Sequence, residues 1–254
     1  MIALRRLTAR HARALAPTAS HLLFTPQVAT ASASASRRAF ASQSVQALWR
    51  SVGAVCFDVD STVCQDEGID VLAAHCGAGA AVKEWTTRAM NGNVKFEDAL
   101  AARLDIIRPS REDIRECLAR HPPALTPGIR ELIAALHRQK IEVFFVSGGF
   151  RLMIEPVAEQ LNVPVRNIYA NTIFFDADGA YSGFDDSELT SRDGGKAEAV
   201  AVIKKTHGHD VVAMVGDGVT DLQARPPARP LRRLWRDRGA TSRAAERRLV
   251  RHRL

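Results

Sequence analysis

The stretch Ala54-Val-Cys-Phe-Asp58-Val-Asp60-Ser-Thr62 constrains this chain more than any other, because an unbroken apolar run ends in two carboxylates one residue apart. Small, aromatic and β-branched residues in succession are the pattern of a parallel strand buried on both faces, and its charged end falls where open α/β sheets hold their ligands. Two acids this close repel each other and are costly to bury. A divalent cation beside them relieves both costs, and Mg²⁺ fits best by its preference for oxygen ligands. An acidic turn at an ordinary strand end accounts for the same residues, since Asp and Ser are common there. The downstream sequence has to separate the two.

After Thr62 the apolar period changes. Ile69, Val71 and Leu72, then Val82, Trp85, Ala89 and Met90, then Phe96, Ala99, Leu100, Leu104 and Ile107 recur at helical spacing, with Gly77 and Gly79 as breaks. Ser110 with Asp113 predicts a capping box for a helix to about Arg120. With no strand-like run between them, residues 68–125 read as a helical cap inserted into a core of residues 51–67 and 126–224. Thr126-Pro127 predicts the start of a helix carrying Ile129, Leu132, Ile133 and Leu136. Ile141 to Val146 reads as a buried strand that ends in a Ser147-Gly148-Gly149 turn, and Phe150 to Leu161 as a helix kinked or shortened by Pro156. Ile173 to Phe175 and Ala180 to Phe184 form a predicted hairpin. The Asp176-Ala-Asp178-Gly179 between them lacks the Gly and Glu that an EF-hand loop needs further on. Gly194-Gly195-Lys196 opens another helix, and Val211 to Val215 is a last buried strand ending in Gly216-Asp217-Gly218-Val219-Thr220-Asp221. Repeated strand, loop and helix predict an α/β fold, a doubly wound parallel sheet of Rossmann-like type with an inserted helical cap.

A net charge of +7 would suit a nucleic-acid-binding protein if it were spread over the molecule. Instead residues 1–50 carry seven Arg and no acid, residues 225–254 carry eleven Arg against Asp237 and Glu246, and the segment between them is −9. The globular part is therefore acidic, and no specific nucleic-acid partner is expected. Residues 1–50, rich in Arg, Ala, Ser and Thr, have the composition of an organellar transit peptide. The Ala-Ser repeat at 31–36 favours a plastid, the basic amphipathic Met1 to Leu15 a mitochondrion, and a disordered basic arm is the alternative to both. No run approaches the ~20 apolar residues of a membrane span. Residues 225–254, Arg- and Pro-rich with no apolar period, read as a disordered tail. Cys56, Cys64, Cys76 and Cys117 lack zinc or disulfide spacing and read as reduced thiols. His207-Gly-His209 reads as a surface turn rather than a metal site.

Four features fall at predicted strand ends or helix starts: Asp58 with Asp60, Ser147 with Gly148, Lys196, and Asp217 with Asp221. In a doubly wound sheet such positions converge on one crevice, although each alone passes for a turn or a solvated charge. In this order they resemble the four motifs of the haloacid dehalogenase-like hydrolases, and the residue types suit phosphoryl transfer. The resemblance implies that Asp58 is the nucleophile, forming an aspartyl-phosphate, and that Asp60 is general acid and then base. It implies Mg²⁺ on the Asp58 carboxylate, the Asp60 backbone carbonyl and Asp217, with Asp221 a ligand or one step behind. Ser147, the Gly148 amide and Lys196 would hold the phosphoryl oxygens.

Longer stretches extend the likeness. Phe57-Asp-Val-Asp-Ser-Thr-Val63, Asp66-Glu-Gly-Ile-Asp70, Leu125-Thr-Pro-Gly-Ile129, Val146-Ser-Gly-Gly-Phe-Arg151, Gly183-Phe-Asp185, Gly194-Gly-Lys196 and Met214-Val-Gly-Asp-Gly-Val-Thr-Asp221 resemble the phosphoserine phosphatase family, its plant organellar members above all. The resemblance covers about 51–225. It implies hydrolysis of O-phospho-L-serine to L-serine and phosphate, the last step of the phosphorylated route to serine, in the plastid stroma or alternatively the mitochondrion. It gives Glu67 to the substrate's amino group and Arg103 to its carboxylate, with Met90 and Thr220 lining the pocket; on their own Glu67 and Arg103 read as helix-surface charges. Two departures stand out. Asn91 replaces a glycine usual in the family, and beyond Ala224 the family would continue into an apolar strand that the basic tail does not supply, so the strand ending at Asp217 is expected to be an unpaired edge. The tail's composition suits an altered reading frame or splice form. A phosphatase for another small phosphomonoester, an inactive isoform binding polyanions through the tail, and a homodimer all stay open.

Overall fold

The computed structural model describes residues 51–90, 94–226 and 228–230. The expected transit peptide, Asn91 and the tail past Pro230 lie outside the described residues. At the centre is β1 (Ala54–Phe57), whose four residues are all fully buried. It pairs in parallel with β2 (Glu142–Phe150) on one side and β6 (Val212–Val215) on the other. With β3 (Ile168–Asn171) and β7 (Arg229–Pro230) at the edges, the five-stranded parallel sheet runs β3-β2-β1-β6-β7. Phe57 lies level with Phe145 and Val215, so the residues after β1, within β2 and after β6 emerge together at one end of the sheet.

Alternation along β1 buries both faces, as a central parallel strand requires. Val55 and Phe57 pack with Ile133 and Leu136 of α5 (Ile129–Arg138) and with Ile154 and Val157 of α6 (Arg151–Gln160). Ala54 and Cys56 face the other way, onto Ala199, Val200 and Ile203 of α7 (Gly195–Thr206).

A second apolar cluster belongs to the four helices inserted between β1 and α5. These are α1 (Gly68–His75), α2 (Gly79–Met90), α3 (Phe96–Ile107) and α4 (Arg111–Arg120). Leu72, Val82, Leu100, Leu104 and Ile114 share this core with Phe150 and Met153, and with Ile173 and Tyr181 from the antiparallel hairpin of β4 (Ile173–Phe175) and β5 (Tyr181–Phe184). The chain leaves the sheet layer and re-enters it side by side: Gln65 N donates to the Ala124 carbonyl at 2.8 Å and Thr126 N to Val63 at 2.9 Å, flanking a Cys64–Leu125 bridge. Ser110 and Asp113 form the expected capping box at the head of α4. All four cysteines are free thiols.

Several expectations need correction. Ser147-Gly148-Gly149 is not a turn; extended backbone continues to Phe150, where β3 lies alongside and Phe150 is level with Asn171. Strand β3 itself had no counterpart in the sequence reading. Pro156 does not end α6, which runs four residues past it. Thr126-Pro127 precedes α5 rather than opening it: the helix is capped by Gly128 at φ 85°, a left-handed conformation that glycine adopts without penalty. The expected bare edge is also covered. After α8 (Val219–Gln223) the chain folds back, burying Ala224 and Ala228, and Arg229 and Pro230 pair with Ala213 and Met214 of β6. The first residues assigned to the tail are therefore part of the sheet layer. Among the described residues no helix is long and apolar enough to cross a membrane.

Candidate active site

Asp58 is the residue immediately after β1, and sheet register fixes it: its N–H donates to the Val215 carbonyl at 2.9 Å. Its Oδ1 accepts from the Val59 amide at 2.8 Å, and its Oδ2 lies 2.7 Å from Lys196 Nζ. The chain then coils tightly through Val59–Val63, with Ser61 at φ 55°. Within this coil Asp60 is held by other partners. Its Oδ1 accepts from the Gly68 amide at 2.7 Å, at the head of α1, and its Oδ2 from Ser147 Oγ at 3.3 Å. A side chain at Gly149 would put a Cβ 2.7 Å from Asp60 Oδ2, so glycine at that point of β2 makes room for the carboxylate.

Lys196 sits in the first turn of α7. The preceding Gly195 lets that turn approach closely, since a Cβ there would come within 1.7 Å of the Leu189 carbonyl oxygen. The ammonium bridges Asp58 Oδ2 and Asp221 Oδ1, the second at 2.8 Å. Asp221 is buried in α8, and its other oxygen accepts from the Gly218 amide at 2.9 Å. Asp58, Asp217 and Asp221 each offer an oxygen within 4.8 Å of the others. Three hard oxygen donors suit Mg²⁺. Asp221 also ties Lys196 to the turn at Gly218, one oxygen accepting from each.

The electrostatics follow from burial. Burial pushes the Asp58 carboxyl up to about 7 against the pull of Lys196, with Asp221 and Asp60 adding to the rise. Burial likewise raises Asp60, opposed by the Gly68 amide. Burial works against the Lys196 ammonium, but Asp58 and Asp221 outweigh it and hold that group above its ordinary value. A divalent ion at the carboxylates would add to the pull of Lys196 and favour ionised Asp58.

These groups line one side of a cavity of about 530 Å³ whose other side is the helical cap. Asp58, Asp60, Gly148, Lys196, Asp217 and Thr220 reach it from the sheet layer, and Glu67 and Arg103 from the cap side. Glu67 accepts from Ser61 Oγ at 2.6 Å, and withdrawal from water raises its carboxyl, helped by Asp60. Arg103 Nε donates to the Ala99 carbonyl at 3.0 Å; burial lowers the guanidinium's pKa while Asp70 and Glu67 hold it up. Ser147 is different, being fully buried behind the cavity wall, with its Oγ accepting from Gly149 N at 2.9 Å. Met90 closes α2, and its side chain lies outside what the structure describes.

Two buried residues absent from the sequence reading support the site. Asn171, at the end of β3, donates from Nδ2 to the Gly148 carbonyl at 2.8 Å, and Thr190 Oγ1 donates to Asn171 Oδ1 at 2.9 Å. The available signal was a polar residue closing the short apolar run Ile168-Tyr-Ala.

Comparison with known proteins places this arrangement. Residues 52–227 match the haloacid dehalogenase-like hydrolase family. Over 186 residues the chain is 56% identical to the chloroplastic phosphoserine phosphatase of Arabidopsis thaliana, covering 73% of this chain and 63% of that protein, less than two thirds of its length. It is 50% identical over 181 residues to the phosphoserine phosphatase of Rattus norvegicus, covering 71% of this chain and 80% of the rat protein. A solved structure described as a phospho-aspartyl intermediate analogue of phosphoserine phosphatase superimposes with a TM-score of 0.62 at 29% identity, covering 70% of this chain and 83% of the other.

Proposed function

Because the chain belongs to the haloacid dehalogenase-like hydrolases, we propose that it hydrolyses O-phospho-L-serine to L-serine and phosphate, the step that completes serine synthesis from a phosphorylated precursor. The observation that carries the reading is the division of the cavity. Carboxylates and Lys196 stand at the sheet edge, while Glu67 and Arg103 offer one charge of each sign at the cap. A phosphoamino acid has a matching ammonium, carboxylate and phosphate. The relatives named for this activity support the same substrate.

In the proposed reaction an Asp58 carboxylate oxygen attacks phosphorus, the bond from phosphorus to the serine oxygen breaks, and Asp60 gives its proton to that departing oxygen. Water then attacks the phosphorus of the aspartyl-phosphate while Asp60 takes a proton from it, and phosphate leaves with Asp58 restored. Burial raises Asp60, which suits it to hold a proton until the leaving group needs one. Lys196 and the Gly148 amide steady the phosphoryl oxygens, and Ser147 orients Asp60 from behind. Mg²⁺ held by Asp58, Asp217 and the Asp60 carbonyl would neutralise charge on the phosphoryl group.

Phosphate release from O-phospho-L-serine by the full chain with Mg²⁺, lost with EDTA and in Asp58→Asn, is the expected outcome. Release from other phosphomonoesters but not this one would leave a family phosphatase of different specificity, and release from none would sink the reading. A plastid location is supported by the chloroplastic Arabidopsis relative and by the Arg-, Ala- and Ser-rich composition of residues 1–50. A fluorescent fusion to the first 60 or so residues checks it; accumulation in mitochondria would overturn it.

A further inference from the structure

At the opposite end of the sheet from Asp58, three side chains converge. Glu142 opens β2, while His207 and His209 flank Gly208 in the turn between α7 and β6. Glu142 Oε2 lies 2.7 Å from His209 Nε2 and 3.2 Å from His207 Nδ1. All three ligand atoms fall within 4.8 Å of one another. The backbone fixes this convergence. His207 N donates to Ile203 O and His209 N to Lys204 O, so both histidines are tied to the last turn of α7. Gly208, at φ 71°, turns the chain between them and leaves the two rings parallel to within 9° at a centroid separation of 6.1 Å.

Gly53, which precedes β1, completes the arrangement. Its carbonyl accepts from Glu142 N at 3.0 Å and its amide donates to Val211 O at 3.0 Å, fastening the heads of β2 and β6 on either side. It also leaves the space His209 occupies, since a Cβ at Gly53 would come 2.6 Å from His209 Nδ1. The Phe144 ring meets the His207 ring edge-on at 4.8 Å. Two imidazole nitrogens and one carboxylate oxygen form the donor set of a zinc site that keeps one position for water. Hard ions such as Mg²⁺ compete poorly for imidazole. Glu142 is 43% and His207 24% exposed at the side chain, so an ion has a path in and room for a water ligand.

We propose that Glu142, His207 and His209 form a binding site for one divalent ion of the zinc type, separate from the carboxylates of the cavity. The ion would fasten the α7–β6 turn to the head of β2, so its effect is on the stability of the folded chain rather than on the reaction.

The test uses the full chain, reduced, in millimolar Mg²⁺ to occupy the all-oxygen carboxylate site. Titration with Co²⁺ should give visible absorption of an imidazole-bound ion, saturating at one per chain. Zn²⁺ at a hundredfold excess over its dissociation constant should raise the unfolding midpoint by about 5 °C or more. His207→Ala and Glu142→Gln should each weaken Co²⁺ binding by about tenfold or more, with far-UV circular dichroism and Mg²⁺-dependent phosphatase activity retained. Glu142→Gln keeps the size and an acceptor oxygen, so it reports on ligation even if His207→Ala loosens the turn. Absence of a Co²⁺ spectrum, an unmoved midpoint with Zn²⁺, or equal binding in both variants would overturn the site and leave Glu142 as a hydrogen-bond acceptor for two imidazoles.

Discussion

At the scale of single residues, the site depends on Lys196, because it is the cation between two buried carboxylates. Taking away one member of a buried ion pair leaves charge with no counterpart, a loss of roughly 3–5 kcal/mol. Lys196→Met should therefore lower stability to urea by about 3 kcal/mol in EDTA and recover part of it in Mg²⁺, while kcat falls by at least about a hundredfold. Equal stability of the variant and the parent in EDTA would mean that Asp58 and Asp221 do not depend on the ammonium. Gly216 is the quieter partner. A Cβ there would stand 2.1 Å from Asp221 Oδ2, which accepts from the Gly218 amide. Gly216→Ala should push that carboxylate aside at a cost of about 1–3 kcal/mol and raise the Mg²⁺ concentration for half-maximal activity. A metal titration of the activity checks this, and an unchanged requirement would show that Asp221 is dispensable to the ion. Asp58, Asp60, Lys196 and Asp217 were legible in the sequence because each follows a strand or opens a helix. Asn171 and Thr190 were not, since a hydrogen bond to the Gly148 carbonyl is set by tertiary register and leaves no local spacing to read.

At the scale of elements, legibility tracked how local the determining forces are. The head of α4 could be read from Ser110 and Asp113 because a capping box is closed within four residues, and both of its bonds are present. The Asp113 carboxyl sits below its ordinary value, chiefly through the Ser110 hydroxyl and amide. A depressed folded-state pKa contributes stability above the unfolded value of roughly 3.9 and loses it as pH falls below. Ser110→Ala should thus cost about 1 kcal/mol near neutral pH, and the gap to the parent should narrow toward pH 3. Urea unfolding at the two pH values measures it; a gap that widened in acid would contradict the cap. The ends of β2 and the whole of β3 were harder, because the pairing that extends β2 through Gly148 to Phe150 comes from a strand more than twenty residues away. Two glycines after an apolar run suggest a turn, yet here Gly149 serves the Asp60 carboxylate and Gly148 packs under Phe96. The start of α5 slipped for a related reason: Thr126 is tied by its amide to Val63 across the junction with the cap, and the helix waits for Gly128.

At the scale of the whole molecule, the parallel sheet and the inserted helices were both legible, since helically spaced apolar residues between two unbroken apolar strand runs mark an insertion. The covered edge of β6 was not, because Arg229-Pro230, which pairs with Ala213 and Met214, has no apolar pattern to mark a strand. What the two layers do together is the larger consequence. The sheet layer holds Asp58, Asp60, Lys196 and Asp217, while α3 carries Arg103 and the head of α1 carries Glu67, and the two layers are joined by the side-by-side segments that meet at the Cys64–Leu125 bridge. If chemistry belongs to the sheet and recognition to the cap, the two should be separable by substitution. A hydrogen bond to a charged group contributes about 1.5–3 kcal/mol, so removing the guanidinium should raise KM for phosphoserine by roughly ten- to a hundredfold. Methionine at that position keeps an unbranched, half-buried stem and suits the helix while deleting the charge. Arg103→Met should therefore leave turnover of phosphoethanolamine, which has the ammonium and phosphate but no carboxylate, close to that of the parent. Steady-state kinetics with the two esters side by side decide the matter. A loss shared equally between them would place Arg103 in cap packing rather than in substrate recognition, since only a contact to the carboxylate can tell the two esters apart.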